Sequence, residues 1–262
     1  KDYGWRYCLE VGLLALVYWG AAHLGFKIAP AYASVTSIWF PSGIALAVLL
    51  LRGIRLWPGA LIGPMLFTTH IGVPLFPAFC SGVGDLLSTL VAALLMVKIF
   101  RFDPRMTRPQ DALAFSVFGA LLPTLFGGGI GALTLYFSGV IPGEMVPVVF
   151  KVWWLADFAG VLTLAPFLLA QFLKDEGSPY RPKPWEGPLL FGLLIVVCYI
   201  VFGTTPDVFR GNILPTYAVV PFIVWAVLRF GHRTTATVVL ICSLSAIAGS
   251  IDTTAVAWPV HA

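Results

Sequence analysis

The chain has 262 residues, of which 59% are hydrophobic and only 11% charged, and its mean hydropathy is +0.91. Soluble domains carry roughly 25% charged residues, so this composition excludes an ordinary globular enzyme and describes a chain embedded in lipid. The net charge of +4 comes with no basic run interleaved with aromatics, which excludes a nucleic-acid surface.

A membrane span needs about 20 mostly apolar residues. The sequence divides into about nine such stretches: Tyr7–Ala29, Ile38–Leu51, Leu56–His70, Ala78–Phe100, Ala112–Phe137, Phe150–Leu173, Pro188–Gly203, Leu214–Phe230 and Thr234–Ser250. The fold class is therefore an all-α, polytopic membrane bundle whose partner is the lipid bilayer. Alternating the loops puts Lys1, Arg6, Arg52, Arg55, Lys98, Arg101, Arg105, Arg108, Lys174, Arg181, Lys183, Arg229 and Arg233 on one side. Only Lys27, Lys151 and Arg210 fall on the other. Cytoplasmic loops hold the excess of Lys and Arg, so the N-terminus is expected in the cytoplasm.

Residues 1–262 read as one membrane domain. The polar loop 174–187, cytoplasmic by the same count, separates a six-helix unit (1–173) from a three-helix unit (188–262). The chain opens on Lys1 and ends on a loop-like tail that nine spans place outside. A tenth helix and a cytoplasmic effector domain are therefore expected after Ala262.

Within the first unit, Pro41 follows Trp39 at the head of the second span, where a first helical turn lacks no amide donor. Gly43 lies in the same turn. Gly59-Ala-Leu-Ile-Gly63 in the third span is a small-residue face for close helix approach. Glu10, near the cytoplasmic end of the first span, is expected to snorkel to the interface or to pair with Arg6 one turn earlier. His70 ends the third span at the outer face, as a solvated interfacial histidine or a pH sensor. Pro123 and Gly127-Gly-Gly-Ile-Gly131 are expected to kink or interrupt the fifth span and to supply a deformable element. That glycine run lacks the Lys-Ser/Thr ending of a phosphate loop.

Two carboxylates stand in otherwise apolar spans, where a charge costs roughly 2.5–3.5 kcal/mol on insertion scales and marks a functional position. Asp157 shares a helix face with Trp153 and Gly160, with Trp154 beside it. These residues make either a ligand pocket with an aromatic wall and a polar anchor, or an interfacial tryptophan belt above an acid that bonds a neighbouring helix. Asp85 lies on a small, polar face with Ser81, Ser88 and Ala92, as a binding residue or an interhelical hydrogen-bonding one. Ser37, Ser42, Thr68, Thr69 and Tyr136 are the candidate partners of the two acids. Cys8, Cys80, Cys198 and Cys242 form no CxxC pair and read as small buried thiols. Neither a metal motif nor a nucleophile–base set is spaced for chemistry, so no catalytic residue, metal or cofactor is expected.

Trp39-x-Pro41-x-Gly43, Arg55-x-Trp57-Pro58-Gly59, Gly84-Asp85 and Trp153-Trp154-x-x-Asp157-x-x-Gly160, followed by Pro166, stand in this order. Together they resemble the bacterial membrane-associated sensor (MASE) family, first type, over most of the chain and best between Trp39 and Pro166. The chain departs from the family pattern at Asp85, where Gly-Asn is expected. Arg108-x-x-Asp111 also follows the pattern and reads as a cytoplasmic helix cap or ion pair. The resemblance implies a multi-pass sensory input module of the bacterial inner membrane, feeding a C-terminal histidine kinase or diguanylate cyclase in a two-component or related system. It also implies a homodimer through the parent protein. The signal would be a small ligand, a lipid or a partner membrane protein. Transport of a small solute and a structural role in a membrane complex are the alternatives.

Overall fold

The computed structural model describes residues 3–28, 30–31, 35–36, 38–106, 108–173, 182–203 and 214–251. The predicted tail 252–262, most of the loop 174–187 and Ser37 lie outside them. Helices dominate, as the apolar runs predict: α1 (Tyr3–Ile28), α2 (Phe40–Arg52), α3 (Trp57–His70), α4 (Leu75–Leu94), α5 (Pro109–Ala114), α6 (Thr124–Phe137), α7 (Val146–Phe172), α8 (Glu186–Cys198), α9 (Val220–Arg229) and α10 (His232–Ile251). The one sheet among the described residues is a two-residue antiparallel pair, Pro30–Ala31 with Val35–Thr36, between α1 and α2.

Among the described residues, five stretches are long and apolar enough to cross a membrane: Gly4–Phe26, Leu75–Ile99, Pro109–Phe137, Gly143–Phe172 and Glu186–Gly203. The protein is a multi-pass, all-helical membrane bundle. Leu9, Leu13 and Leu16 on one stripe of α1 are each close to 60% exposed, the pattern of a face that meets lipid rather than protein.

The chain forms two compact units, Lys1–Leu169 and Ala170–Ala262. In the first, α1 packs along α3, α3 against α4, α4 against α6, and α2 against both α1 and α4. Small residues make these approaches possible. A Cβ on Gly59 would lie 2.8 Å from the Val11 carbonyl oxygen, and one on Gly63 would lie 2.6 Å from the Tyr18 Cβ. Both members of the predicted small-residue face therefore seat α1. Gly53, with φ of 104°, turns the chain between α2 and α3 in a conformation that L side chains rarely adopt.

Glu10, near the start of α1, takes partners other than Arg6. Glu10 pairs with Arg55 at 3.2 Å and Arg52 at 3.8 Å, while Arg6 lies over the Trp5 ring. Arg55 also anchors α1 through its carbonyl, which accepts the Tyr7 hydroxyl at 3.0 Å. The α2–α3 turn brings two guanidinium groups to α1, and sequence proximity to Arg6 loses to that tertiary contact.

The predicted interruption of the fifth span falls upstream of the glycines. Phe115–Leu121 is π-helical, Leu122–Pro123 turns, and α6 then runs unbroken through Gly127–Gly131. Proline has no amide hydrogen and crowds the preceding turn, so the defect gathers before Pro123. The glycines are held in helix by their neighbours. At the start of this span, the Asp111 amide donates to the Arg108 carbonyl at 3.0 Å, and Asp111 sits buried in the first turn of α5, where a carboxylate is favoured by the helix dipole.

In the second unit, Leu190, Leu194 and Cys198 of α8 meet Val219 and Ala226 from the α9 side and Val238 and Cys242 of α10. Its polar edge is a forked pair. The Arg229 guanidinium donates to both Glu186 oxygens, at 2.9 and 2.7 Å. Arg233 donates to the carbonyls of Ala170 and Leu173 at 3.2 and 2.8 Å, capping the chain end of α7 with a cation.

Candidate functional site: an intramembrane carboxylate pair

The start of α2 builds the first half of the site. Trp39 precedes the helix, its amide donates to the Ala156 carbonyl of α7 at 2.9 Å, and Pro41 occupies the first turn. That turn presents Ser42, whose hydroxyl donates to Asp157 Oδ1 at 2.6 Å. The approach is possible because Gly43 and Gly160 face each other. A Cβ on Gly43 would collide with the Gly160 carbonyl, and one on Gly160 with the Trp39 carbonyl. Gly160 is thus the space that lets Trp39 and Ser42 reach α7, and Asp157 is held 5% exposed.

The second half is assembled by α1 and α4. The Tyr18 hydroxyl donates to Asp85 Oδ2 at 3.1 Å and accepts the Trp39 indole N–H at 3.0 Å. Tyr18 is 1% exposed, so its hydroxyl finds both partners inside the bundle, as a buried phenol requires.

α6 closes the site between the two acids. Phe126 already takes the Pro123 carbonyl, and the Gly127 amide donates to Ser88 Oγ at 2.8 Å. Through this bond Ser88 ties α4 to the start of α6. A Cβ on Gly127 would lie 2.9 Å from Ser88 Oγ, 3.0 Å from Asp157 Oδ2 and 3.4 Å from Asp85 Oδ1. These are the carboxylate oxygens that Ser42 and Tyr18 do not use. The two acids therefore turn their remaining oxygens toward one point on the α6 backbone. Like charges that close interact strongly in a medium poorer in water than the surface.

The two indoles of α7 that precede Asp157 serve α6. Trp153 packs against Gly131, where a Cβ would collide with the ring. The Trp154 indole N–H donates to the Leu121 carbonyl at 2.9 Å, in the π-helical turn, and its ring stacks on Phe150. A Cβ on Gly128 would lie 3.0 Å from the Trp154 amide nitrogen. Both tryptophans are half-buried and brace the segment that carries Gly127. Of the sequence-derived residues, Trp39, Asp85, Asp157, Pro41, Gly43, Gly127 and Gly160 come together, and Pro123, Gly131, Trp153 and Trp154 support them from the next turns.

Of the candidate partners, Ser42 reaches an acid. Thr68 and Thr69 bond carbonyls of their own helix, at Pro64 and Met65. Tyr136 packs beside Phe137. Tyr18, a hydroxyl in mid-span, was not among the candidates, and the Trp39 indole that shares it lies 21 residues away in sequence. Among the described residues, no group of three or more His, Cys, Asp or Glu side chains is placed to hold a metal ion.

A comparison with protein families gives a match to the MASE1 model over residues 10–256. The chain belongs to the MASE1 family. MASE1 domains are membrane sensory input domains of histidine kinases and cyclases and are not themselves catalytic. The matched range takes in the residues of the carboxylate site and most of both compact units. No curated protein and no solved structure matches the chain.

Proposed function

We propose that this MASE1 domain is a sensory input module that regulates a C-terminal cytoplasmic signalling domain, a histidine kinase or a diguanylate cyclase. In this reading it sits in a bacterial inner membrane with its N-terminus in the cytoplasm, and the parent protein is a homodimer. The carboxylate pair is the element whose arrangement differs between signalling states. The observation that carries this is the approach of Asp85 and Asp157 to Gly127, each acid tethered by a hydroxyl from a different helix. A ligand, lipid or partner that binds near Trp39, Asp85, Trp153, Trp154 or Asp157 shifts the balance only through unequal affinity for the two states. A preference of about 1.4 kcal/mol shifts it tenfold, which is within the reach of one polar contact.

The test is the output of the full-length protein carrying Asp157→Asn or Asp85→Asn, with membrane insertion checked in the same cells. Changed basal output or lost response is expected for both. Unchanged signalling by well-inserted variants overturns the reading. Paired intramembrane acids also suit transport of a small solute, and uptake by liposomes containing the purified domain would favour that alternative.

A further inference from the structure

Glu10 is the meeting point of the α2–α3 turn and α1. Arg52 closes α2, Arg55 follows it across Gly53, and their guanidinium groups reach the two Glu10 oxygens at 3.8 and 3.2 Å. The turn is held from α1 a second time, because the Arg55 carbonyl accepts the Tyr7 hydroxyl. Arg6 stands one turn before Glu10 on the same face of α1. The cluster thus holds three guanidinium groups and one carboxylate among the described residues. Its donors are turned outward, the Arg52 and Arg55 side chains being 67% and 63% exposed. Each guanidinium carries five N–H donors, and one shared carboxylate leaves several of them open to a further anion.

The surface that leads away from these donors is apolar. Leu13 and Val17 continue the Arg6–Glu10 face of α1, and they are 59% and 44% exposed. On α2, Val48 and Ile44 lie one and two turns behind Arg52 and are partly exposed. Both faces run from the arginine end toward the middle of the bundle. Exposed Trp5 and Trp57 stand at the same end of α1 and α3, and indoles favour the head-group level of a bilayer. An occupant of this surface therefore carries an anionic head with a hydrocarbon tail beside it.

We propose that this cluster binds an anionic phospholipid of the surrounding bilayer. Its phosphodiester is held between Arg52 and Arg55, and an acyl chain lies along Leu13 and Val17. A guanidinium grips phosphate oxygens with parallel N–H donors. A zwitterionic head brings an ammonium group as well, which the surplus of positive charge repels. Glu10 keeps the two guanidinium groups together while neutralising part of their charge, so it sets an upper limit on the affinity. The cluster stands about 12 Å from Tyr18 along α1, and the proposal does not depend on the reading of the carboxylate pair.

The test is native mass spectrometry of the purified full chain in detergent micelles, titrated with dioleoyl phosphatidylglycerol or dioleoyl phosphatidylcholine. The parent protein is expected to bind phosphatidylglycerol about tenfold more tightly. Arg52→Gln combined with Arg55→Gln is expected to make the two lipids equal. Lys151→Gln, which removes an exposed charge from α7, is expected to leave the preference unchanged. Glu10→Gln releases both guanidinium groups and is expected to strengthen phosphatidylglycerol binding, a gain that loss of a merely structural ion pair does not give. Equal binding of the two lipids by the parent, or a preference kept by the double variant, overturns the proposal. So does an equal loss in Lys151→Gln, unchanged or weaker binding in Glu10→Gln, or displacement of the lipid by an equal concentration of glycerol 3-phosphate.

Discussion

The Tyr18 hydroxyl donates to Asp85 Oδ2 at 3.1 Å across 67 residues of sequence, and this bond ties α1 to α4 at the depth where α6 and α7 present Gly127 and Asp157. Removing that hydroxyl leaves one Asp85 oxygen and the Trp39 indole N–H without their partner. Interhelical hydrogen bonds in membranes contribute about 0.6 kcal/mol on average and up to about 1.7. Tyr18→Phe is expected to lower stability toward the upper end of that range, since two bonds are lost together. Denaturation in mixed micelles measures it, and Trp39→Phe in the same background shows whether the two losses are coupled.

Ser42 and Asp157 are joined at 2.6 Å. Asn at position 157 keeps an acceptor for the Ser42 hydroxyl, whereas Leu does not. Asp157→Leu is expected to lose more stability than Asp157→Asn, because a buried polar group left without its partner costs about 1–3 kcal/mol. Ser42→Ala combined with Asp157→Leu is expected to recover part of the difference. Thermal unfolding of the four proteins in one detergent decides it.

The glycines of α6 differ in what a methyl group would meet. At Gly127 it enters the space between Ser88 and the two acids, and at Gly129 the nearest atom is a Phe150 ring carbon at 4.0 Å. Gly127→Ala is expected to cost about 1–3 kcal/mol through overpacking. Gly129→Ala is expected to be neutral or to stabilise by up to about 1 kcal/mol through helix propensity. Equal effects at the two positions would show that the close approach at Gly127 carries no special constraint.

In the second unit, Arg229 grips Glu186 with two donors. A lysine keeps the charge but not the fork. Arg229→Lys is therefore expected to melt below the parent protein and above Arg229→Ala, and all the differences shrink in high salt if the pair is solvent-screened. Differential scanning fluorimetry across a salt series gives the order directly.

Much of this architecture was legible because it is local. Pro41 announces the first turn of α2, and the small residues Gly59 and Gly63 announce a close helix contact. Asp157 and Gly160 share a face because they are three residues apart on a helix. Glu10 shows where locality fails: Arg6 is one turn away in sequence, yet Arg52 and Arg55 are the partners that the α2–α3 turn delivers. The glycine run shows a second failure. Five residues with four glycines read as a break, but Ser88, Trp153 and Trp154 pack against them and hold the helix.

Hydropathy, charge distribution and the order of the Trp39, Asp85 and Trp153–Gly160 motifs determined by themselves that this is a helical, multi-pass membrane domain of the MASE1 type with acids in its interior. Those signals depend on each residue's own transfer energy and on its neighbours within a turn or two. Tertiary structure alone decided that Ser42 meets Asp157 across 115 residues, that Tyr18 serves Asp85, and that both acids face Gly127. Such pairings depend on how each helix is rotated and how closely it approaches the next. The facing glycines set that approach, and no single stretch of sequence contains it.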